Sequence, residues 1–142
     1  MVRAVLFLVI FVFLPKNGRQ YEANNFDVQL NVDGIDKSNQ GKVVLAVYDE
    51  ENFLKKMVFL QKLNPTAEQL TTKLTLAEGK YCFSVYQDTN QNQKLDRNFI
   101  GIPKEPIAFS NEYKPFGSPK FKGCAVTVNK PLTLTLKMEK VF

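Results

Sequence analysis

Phe26-Asp27-Val28-Gln29-Leu30-Asn31-Val32 is the stretch from which the fold is read. Apolar and polar residues alternate through it without interruption. That period of two belongs to a strand with one face on a core and one in water. Phe26, Val28, Leu30 and Val32 are expected to point inward, and Asp27, Gln29 and Asn31 outward. The same signature returns down the chain. Leu70, Thr72, Leu74 and Leu76 alternate with Thr71, Lys73 and Thr75. Leu132, Leu134, Leu136 and Met138 alternate with Thr133, Thr135 and Lys137.

Other strands are less one-sided. From Lys42 to Tyr48 both faces are apolar, as in a central strand or one covered by a loop. Lys80 to Gln87 sets Tyr81, Phe83 and Val85 on one face and Cys82, Ser84 and Tyr86 on the other. Lys56 to Lys62 alternates poorly but reads as a third strand. Cys124 to Val128, the turn Asn129-Lys130-Pro131 and Leu132 to Met138 read as a terminal hairpin. About seven short strands and no long helix predict an all-β fold. A two-layer antiparallel β-sandwich, immunoglobulin-like or transthyretin-like, buries all their faces.

Between the strands, Asp33-Gly34 and Asp36 to Gly41 are turn-rich. Asp49 to Leu54 reads as a short corner that folds Phe53 and Leu54 back onto the core. Asn64-Pro65-Thr66 reads as a loop. Glu78-Gly79 makes a tight corner, and a Tyr just beyond such a corner, here Tyr81, is expected to hydrogen-bond back to its backbone.

Composition sets the limits. The chain has 142 residues, enough for one domain, and 44% of them are apolar. Residues 1–20 hold Arg3, an apolar run from Ala4 to Leu14, then Pro15, Lys16 and Arg19. A basic start, a short apolar run and a polar exit describe a secretory signal peptide, although no small-x-small cleavage pair follows. Residues 21–142 then form a single domain, and the expected location is secreted or periplasmic. An uncleaved anchor over residues 4–14 is the rival, and it would be the chain's only membrane contact. Removing the three leader cations from a net charge of +5 leaves 16 bases against 14 acids, or +2. With no clustered Lys or Arg, nucleic-acid binding is not expected. There is no histidine, which excludes Ser-His-Asp and Cys-His catalysis and His-ligated zinc. Two cysteines, Cys82 and Cys124, fit no metal spacing. In an exported chain they suggest one disulfide, with two separate buried thiols as the alternative.

Asp88-Thr89-Asn90-Gln91-Asn92-Gln93-Lys94-Leu95-Asp96 is the most function-like segment. Asp88, Asn90 and Asn92 stand at the first, third and fifth positions of an EF-hand-like loop. The backbone carbonyl of Lys94 would be the seventh-position ligand and Asp96 the ninth. Calcium is a hard ion that takes roughly six to eight oxygens, and such a spacing wraps oxygens around one centre. The departures are Gln93 where the turn wants Gly, Phe99 where an EF-hand has Glu, and a cation at Lys94. A weak calcium site and an Asx-rich turn that satisfies its own backbone are both open. Calcium is the one cofactor suggested.

Phe99 to Phe121 follows as a long loop holding Pro103, Pro106, Pro115, Pro119, Gly101 and Gly117, with Ile107 to Phe109 as a brief edge strand. Its Phe99, Phe109, Tyr113, Phe116 and Phe121 are candidates for a binding loop, or for pinning the loop down.

These residues carry a resemblance. Gly79-x-Tyr81, Val85-Tyr86-Gln87-Asp88, Asn90-x-Asn92-x-Lys94-Leu95-Asp96, Asn98 to Glu105, Ala108 to Asn111 and Phe116-Gly117-x-Pro119-x-Phe121 together resemble the bacterial exported family called domain of unknown function 2141. The resemblance implies a secreted or periplasmic β-sandwich and bacterial origin, with no established activity or catalytic residues. The family's loop commonly has Gly where this chain has Gln91 and Gln93. Cys82 and Cys124 fall where small residues are expected, which adds support for their pairing.

The expectation is a non-enzymatic binding or structural module of the cell envelope with a calcium-stabilised loop, facing an envelope protein or a glycan. The enzymatic alternative is a hydrolase that pairs Asp88 or Asp96 with Glu105 or Glu112 in a cleft.

Overall fold

The computed structural model describes residues 24–140. The leader and its apolar run fall outside the described residues. The described residues form an all-β sandwich of eight strands: β1 (Asn25–Asp33), β2 (Val43–Tyr48), β3 (Phe59–Leu63), β4 (Gln69–Ala77), β5 (Gly79–Gln87), β6 (Ile107–Phe109), β7 (Ala125–Val128) and β8 (Leu132–Lys137). One sheet has the order β4-β1-β8. The other runs β3-β2-β5-β6, with β7 also on β5. The strand beyond the expected seven is the brief edge strand β6. The poorly alternating third strand is shorter than expected, because Lys56 to Val58 belong to the turn before it.

The core lies between the sheets and follows from the alternation. Val28, Leu30 and Val32 of β1, Leu74 and Leu76 of β4 and Leu136 of β8 face Val43, Leu45 and Val47 of β2 and Phe83 and Val85 of β5. Each such side chain contributes roughly 1.5–3 kcal/mol when fully buried. On the outer face of the first sheet, Thr75 Oγ1 donates to Asp27 Oδ1 (2.9 Å) and Thr71 Oγ1 to Asn31 Oδ1 (3.0 Å). Strand β2 lies between β3 and β5, as its two apolar faces predict.

The terminal hairpin does not form. Strand β7 pairs antiparallel with β5, whereas β8 crosses to the other sheet and pairs parallel with β1, Val28 opposite Leu132. The sandwich is therefore not wholly antiparallel. Alternation assigns faces to a strand but not its neighbour, and the Asn129-Lys130-Pro131 turn carries the chain between sheets.

Another inter-sheet crossing joins β4 to β5. Tyr81 Oη donates to the carbonyl of Ala77 at 3.1 Å, as expected of a tyrosine at a sandwich corner. A Cβ on Gly79 would meet the Tyr81 ring at 3.1 Å, so glycine lets the ring lie against the corner.

A second, smaller core lies on the outer face of the five-stranded sheet. Cys82 and Phe109 point to that side and are covered by the single helical turn α1 (Phe121–Cys124), with Phe53 and Tyr113 against them. Cys82 and Cys124 form a disulfide with their Cα atoms 5.1 Å apart. Cys124 ends α1 rather than opening a strand. Phe53 folds back as expected and stacks edge-on against Phe121, whereas Leu54 stays exposed.

Candidate functional site: the Asp88–Glu105 loop

Strand β5 delivers the site. Its last inward residue, Gln87, is fully buried and ties the Asp36–Gly41 connection to the sheet end. Its Oε1 accepts the N–H of Asp36 (2.9 Å) and its Nε2 donates to the carbonyl of Asp36 (2.9 Å). Asp88, 3% exposed, follows immediately. Its carboxylate accepts the N–H of Asn92 (3.1 Å) on Oδ1 and of Gln93 (2.8 Å) on Oδ2. Such a carboxylate satisfies backbone donors that a tight loop would otherwise leave unpaired.

Asp96 closes the loop from the other side. Its Oδ2 accepts the side-chain amides of Asn90 (2.5 Å) and Asn92 (2.7 Å). The Asn90 amide, and after it the Asn92 amide, hold the Asp96 carboxyl below its ordinary value. Lys94 is exposed, and its N–H donates to Asn92 Oδ1 at 3.1 Å. The fold thus gathers Asp88, Asn90, Asn92 and Asp96 around one loop. Among the described residues no three Asp, Glu or Cys side chains converge as a ready-made metal cage.

Glu105 is the fastening for the whole segment. It is 2% exposed. Oε1 accepts the N–H of Thr89 (2.8 Å) and Oε2 that of Asp96 (3.2 Å). The sequence offers Glu105 as one half of an acid pair. Here both its oxygens hold backbone, and Glu112 sits exposed in a separate 3-10 turn, Ser110–Glu112. Beside the loop, burial first, and then the charges of Asp88 and Glu105, push the Tyr86 hydroxyl up to about 12.

The family of uncharacterized proteins conserved in bacteria (DUF2141) matches the chain over residues 30–135. The chain belongs to the DUF2141 family. No curated protein and no solved structure matches it. In this DUF2141 protein, Gln91 and Gln93 have φ of 61° and 66°. Those are left-handed positions that glycine takes freely and other residues take at roughly 1–2 kcal/mol each. The left-handed turn that an EF-hand-like loop makes with glycine at its sixth position is therefore made here by Gln93.

The five candidate aromatics of the DUF2141 chain separate into two groups. Phe109 and Phe121 are buried and Tyr113 is half-buried, all three in the second core. Phe109 and Tyr113 pack against the disulfide-anchored α1 turn, and Phe121 is the ring by which that turn packs, so these three pin the loop down. Phe99 and Phe116 are fully exposed, at 100% and 108%, and Ile100 beside Phe99 is 64% exposed. Each exposed ring sits on an anchored turn. Asn98 Oδ1 accepts the N–H groups of Ile100 (3.1 Å) and Ile102 (2.9 Å), while Tyr113 Oη accepts the N–H of Lys120 (3.1 Å). Burial and long-range pairing separate the two groups, and neither leaves a local mark in the sequence.

Proposed function

We propose that this DUF2141 protein is an exported, non-enzymatic binding module of the cell envelope. Its working end is the Asp88–Phe121 segment, and Phe99 and Phe116 contact an envelope partner. The observation that carries this reading is the complete exposure of two phenylalanines on turns held by hydrogen bonds. Water disfavours such rings, and an ordered turn presents them at no further ordering cost on binding. The Cys82–Cys124 disulfide supports an oxidising compartment, secreted or periplasmic.

Calcium is the proposed stiffener of the loop. Asp88, Asn90, Asn92, Asp96 and the carbonyl of Lys94 are its ligands. The Oδ1 atoms of Asn90 and Asn92 now accept the N–H groups of Asn92 and Lys94, so a bound ion competes with those two bonds as well as with the amide contacts to Asp96. With two carboxylates the affinity belongs to the millimolar class.

The test places a photo-crosslinking amino acid at Phe99 or Phe116 in bacteria that express the protein, with Asp27 on the open sheet face as control. Adducts at 99 and 116 that are absent at 27 support the reading. Identical patterns at all three, or none, overturn it. Calorimetric titration with calcium, using Asp96→Ala as control, tests the stiffener separately. N-terminal sequencing of the exported protein tests loss of the leader.

A further inference from the structure

A cavity of about 290 Å3 opens between the acidic loop and the outer face of β2 and β3. Lys42, Lys62, Gln40, Gln91 and Gln93 line it around Val44. The register explains the convergence. Lys62 of β3 lies opposite Val44 of β2, and Lys42 precedes that strand, so both cations flank one apolar residue on the same face. The loop after β5 then brings Gln91 and Gln93 over them.

The cavity is open to solvent, with Gln40, Lys42, Lys62, Gln91 and Gln93 exposed around a buried Val44, and three of its features point to a ligand. The first is its charge. Among the described residues the ion pairs are Lys37 with Glu68 and Lys114 with Glu139, so neither Lys42 nor Lys62 has a carboxylate partner. Asp88, which also borders the cavity, turns both its oxygens to loop N–H groups, and Lys42 Nζ donates to the neutral Asn64 Oδ1. The second is the backbone. Both glutamines keep left-handed φ values that glycine would hold without strain, and both line the cavity. An observed strained position is a pointer to function when its side chain has somewhere particular to be. The third is the chemistry of the walls. Three primary amides offer donors and acceptors together, two ammonium groups offer positive charge, and Val44 gives a small apolar floor.

We propose that this cavity is a binding subsite for an acidic saccharide. The sugar carboxylate sits between Lys42 and Lys62, and the hydroxyls bond to the amides of Gln40, Gln91 and Gln93. Amides pair with hydroxyls in either direction, and an ammonium pair answers a carboxylate. The volume is at the lower limit for ligand sites, which suits one sugar ring rather than a nucleotide or a peptide. The proposal goes beyond the aromatic contact at Phe99 and Phe116 and does not depend on it.

The test is an NMR titration of the purified protein with D-glucuronic acid, and separately with glucose, acetate and inorganic phosphate. Saturable shifts of the Gln40, Gln91 and Gln93 side-chain amides are expected with glucuronate. Lys42→Gln with Lys62→Gln should weaken binding by about tenfold or more. Gln91→Gly with Gln93→Gly should weaken binding while raising the melting temperature, a combination that a merely structural role does not produce. Phe99→Ser with Phe116→Ser should leave the titration unchanged even if cross-linking is lost. No saturable shift up to roughly 50 mM glucuronate overturns the proposal, because weaker binding is negligible. Equal binding of glucose overturns the carboxylate assignment, and equal binding of acetate or phosphate reduces the cavity to a general anion site and overturns the saccharide assignment.

Discussion

From Asp88 to Pro106 the connection after β5 is ordered by carboxylates, whereas from Ser110 to Cys124 the connection after β6 is ordered by sulfur and aromatic rings. Both segments hold two prolines and carry an exposed phenylalanine, Phe99 in the first and Phe116 in the second. In the first, Asp88 and Glu105 are almost wholly buried and accept backbone N–H groups from both ends of the loop. In the second, the Cys82–Cys124 bond fastens α1 over Phe109, and Phe53 and Phe121 stack edge-on with centroids 5.6 Å apart. A buried Ser110 hydroxyl accepts the N–H of Phe83 at 3.0 Å and completes that attachment. The difference bears on function. Where polar bonds hold a loop, its aromatic residues are not needed for packing, and Phe99 is left in water. Where rings hold a loop, only the ring at the tip, Phe116, is free of the packing.

The largest effect should come from the sulfur side. Replacing Cys82 and Cys124 by Ala opens a connection of sequence separation 42, and loop entropy alone puts the loss near 4 kcal/mol. Urea unfolding should show it, and hydrogen exchange should quicken around α1 before the acidic loop. Simultaneous loosening of both segments would show that they are one unit.

Next comes the contact that seats the acidic loop. A Cβ on Gly41 would lie 1.8 Å from the carbonyl oxygen of Asp88, backbone against backbone. Gly41→Ala should therefore cost about 3 kcal/mol or more, as overpacking does when neither side yields. The same unfolding measurement checks it. Wild-type stability would mean that the two connections are not in fixed contact.

Glu105→Ala leaves the N–H groups of Thr89 and Asp96 without their partner, and about 2 kcal/mol should be lost. Exchange at those two amides should accelerate while the Gly123 amide, bonded to Lys120 at 3.0 Å, stays protected. That contrast measures directly how independent the two segments are.

A pH effect of smaller size belongs to the acidic loop. The Asp96 carboxyl sits below its ordinary 3.8 because the charged form is bonded to the Asn90 amide first and the Asn92 amide second. A depressed folded value adds stability that is complete above the unfolded value and disappears as pH falls through the folded one. The contribution is therefore present at neutral pH and disappears only below about 3.8. A carboxyl-carbon NMR titration should place the Asp96 midpoint below that value, and Asn90→Ala should move it upward.

The smallest effect should be at the tips. Phe99→Ser and Phe116→Ser should change stability by no more than about 0.5 kcal/mol, because neither ring packs on the core. A larger loss by thermal melt would show that the rings are structural after all.

Much of this molecule was legible as local pattern. The alternation of Phe26 to Val32, Leu70 to Leu76 and Leu132 to Met138 names the inward residues of three strands, because side chains in a strand alternate with a period of two whatever lies beside it. Asp88, Asn90, Asn92 and Asp96 gather around one loop, since short Asp and Asn side chains bond to donors a few residues away. The doubly apolar β2 and the Tyr81 corner were also visible, each from the demands of a few neighbouring residues.

The tertiary structure alone decided the partners. Leu132 to Met138 has the right face for a hairpin with Ala125 to Val128, yet it pairs parallel with β1, because both sheets must close over one core and a strand's pattern does not say which edge is open. The same dependence on distant chain decided that Phe109 and Phe121 are buried while Phe99 and Phe116 are not. It also decided that Glu105 fastens the loop, and that Lys42 and Lys62 meet Gln91 and Gln93 around one cavity. A strand's face is a property of a few successive residues. Its neighbour is a property of the whole packed chain.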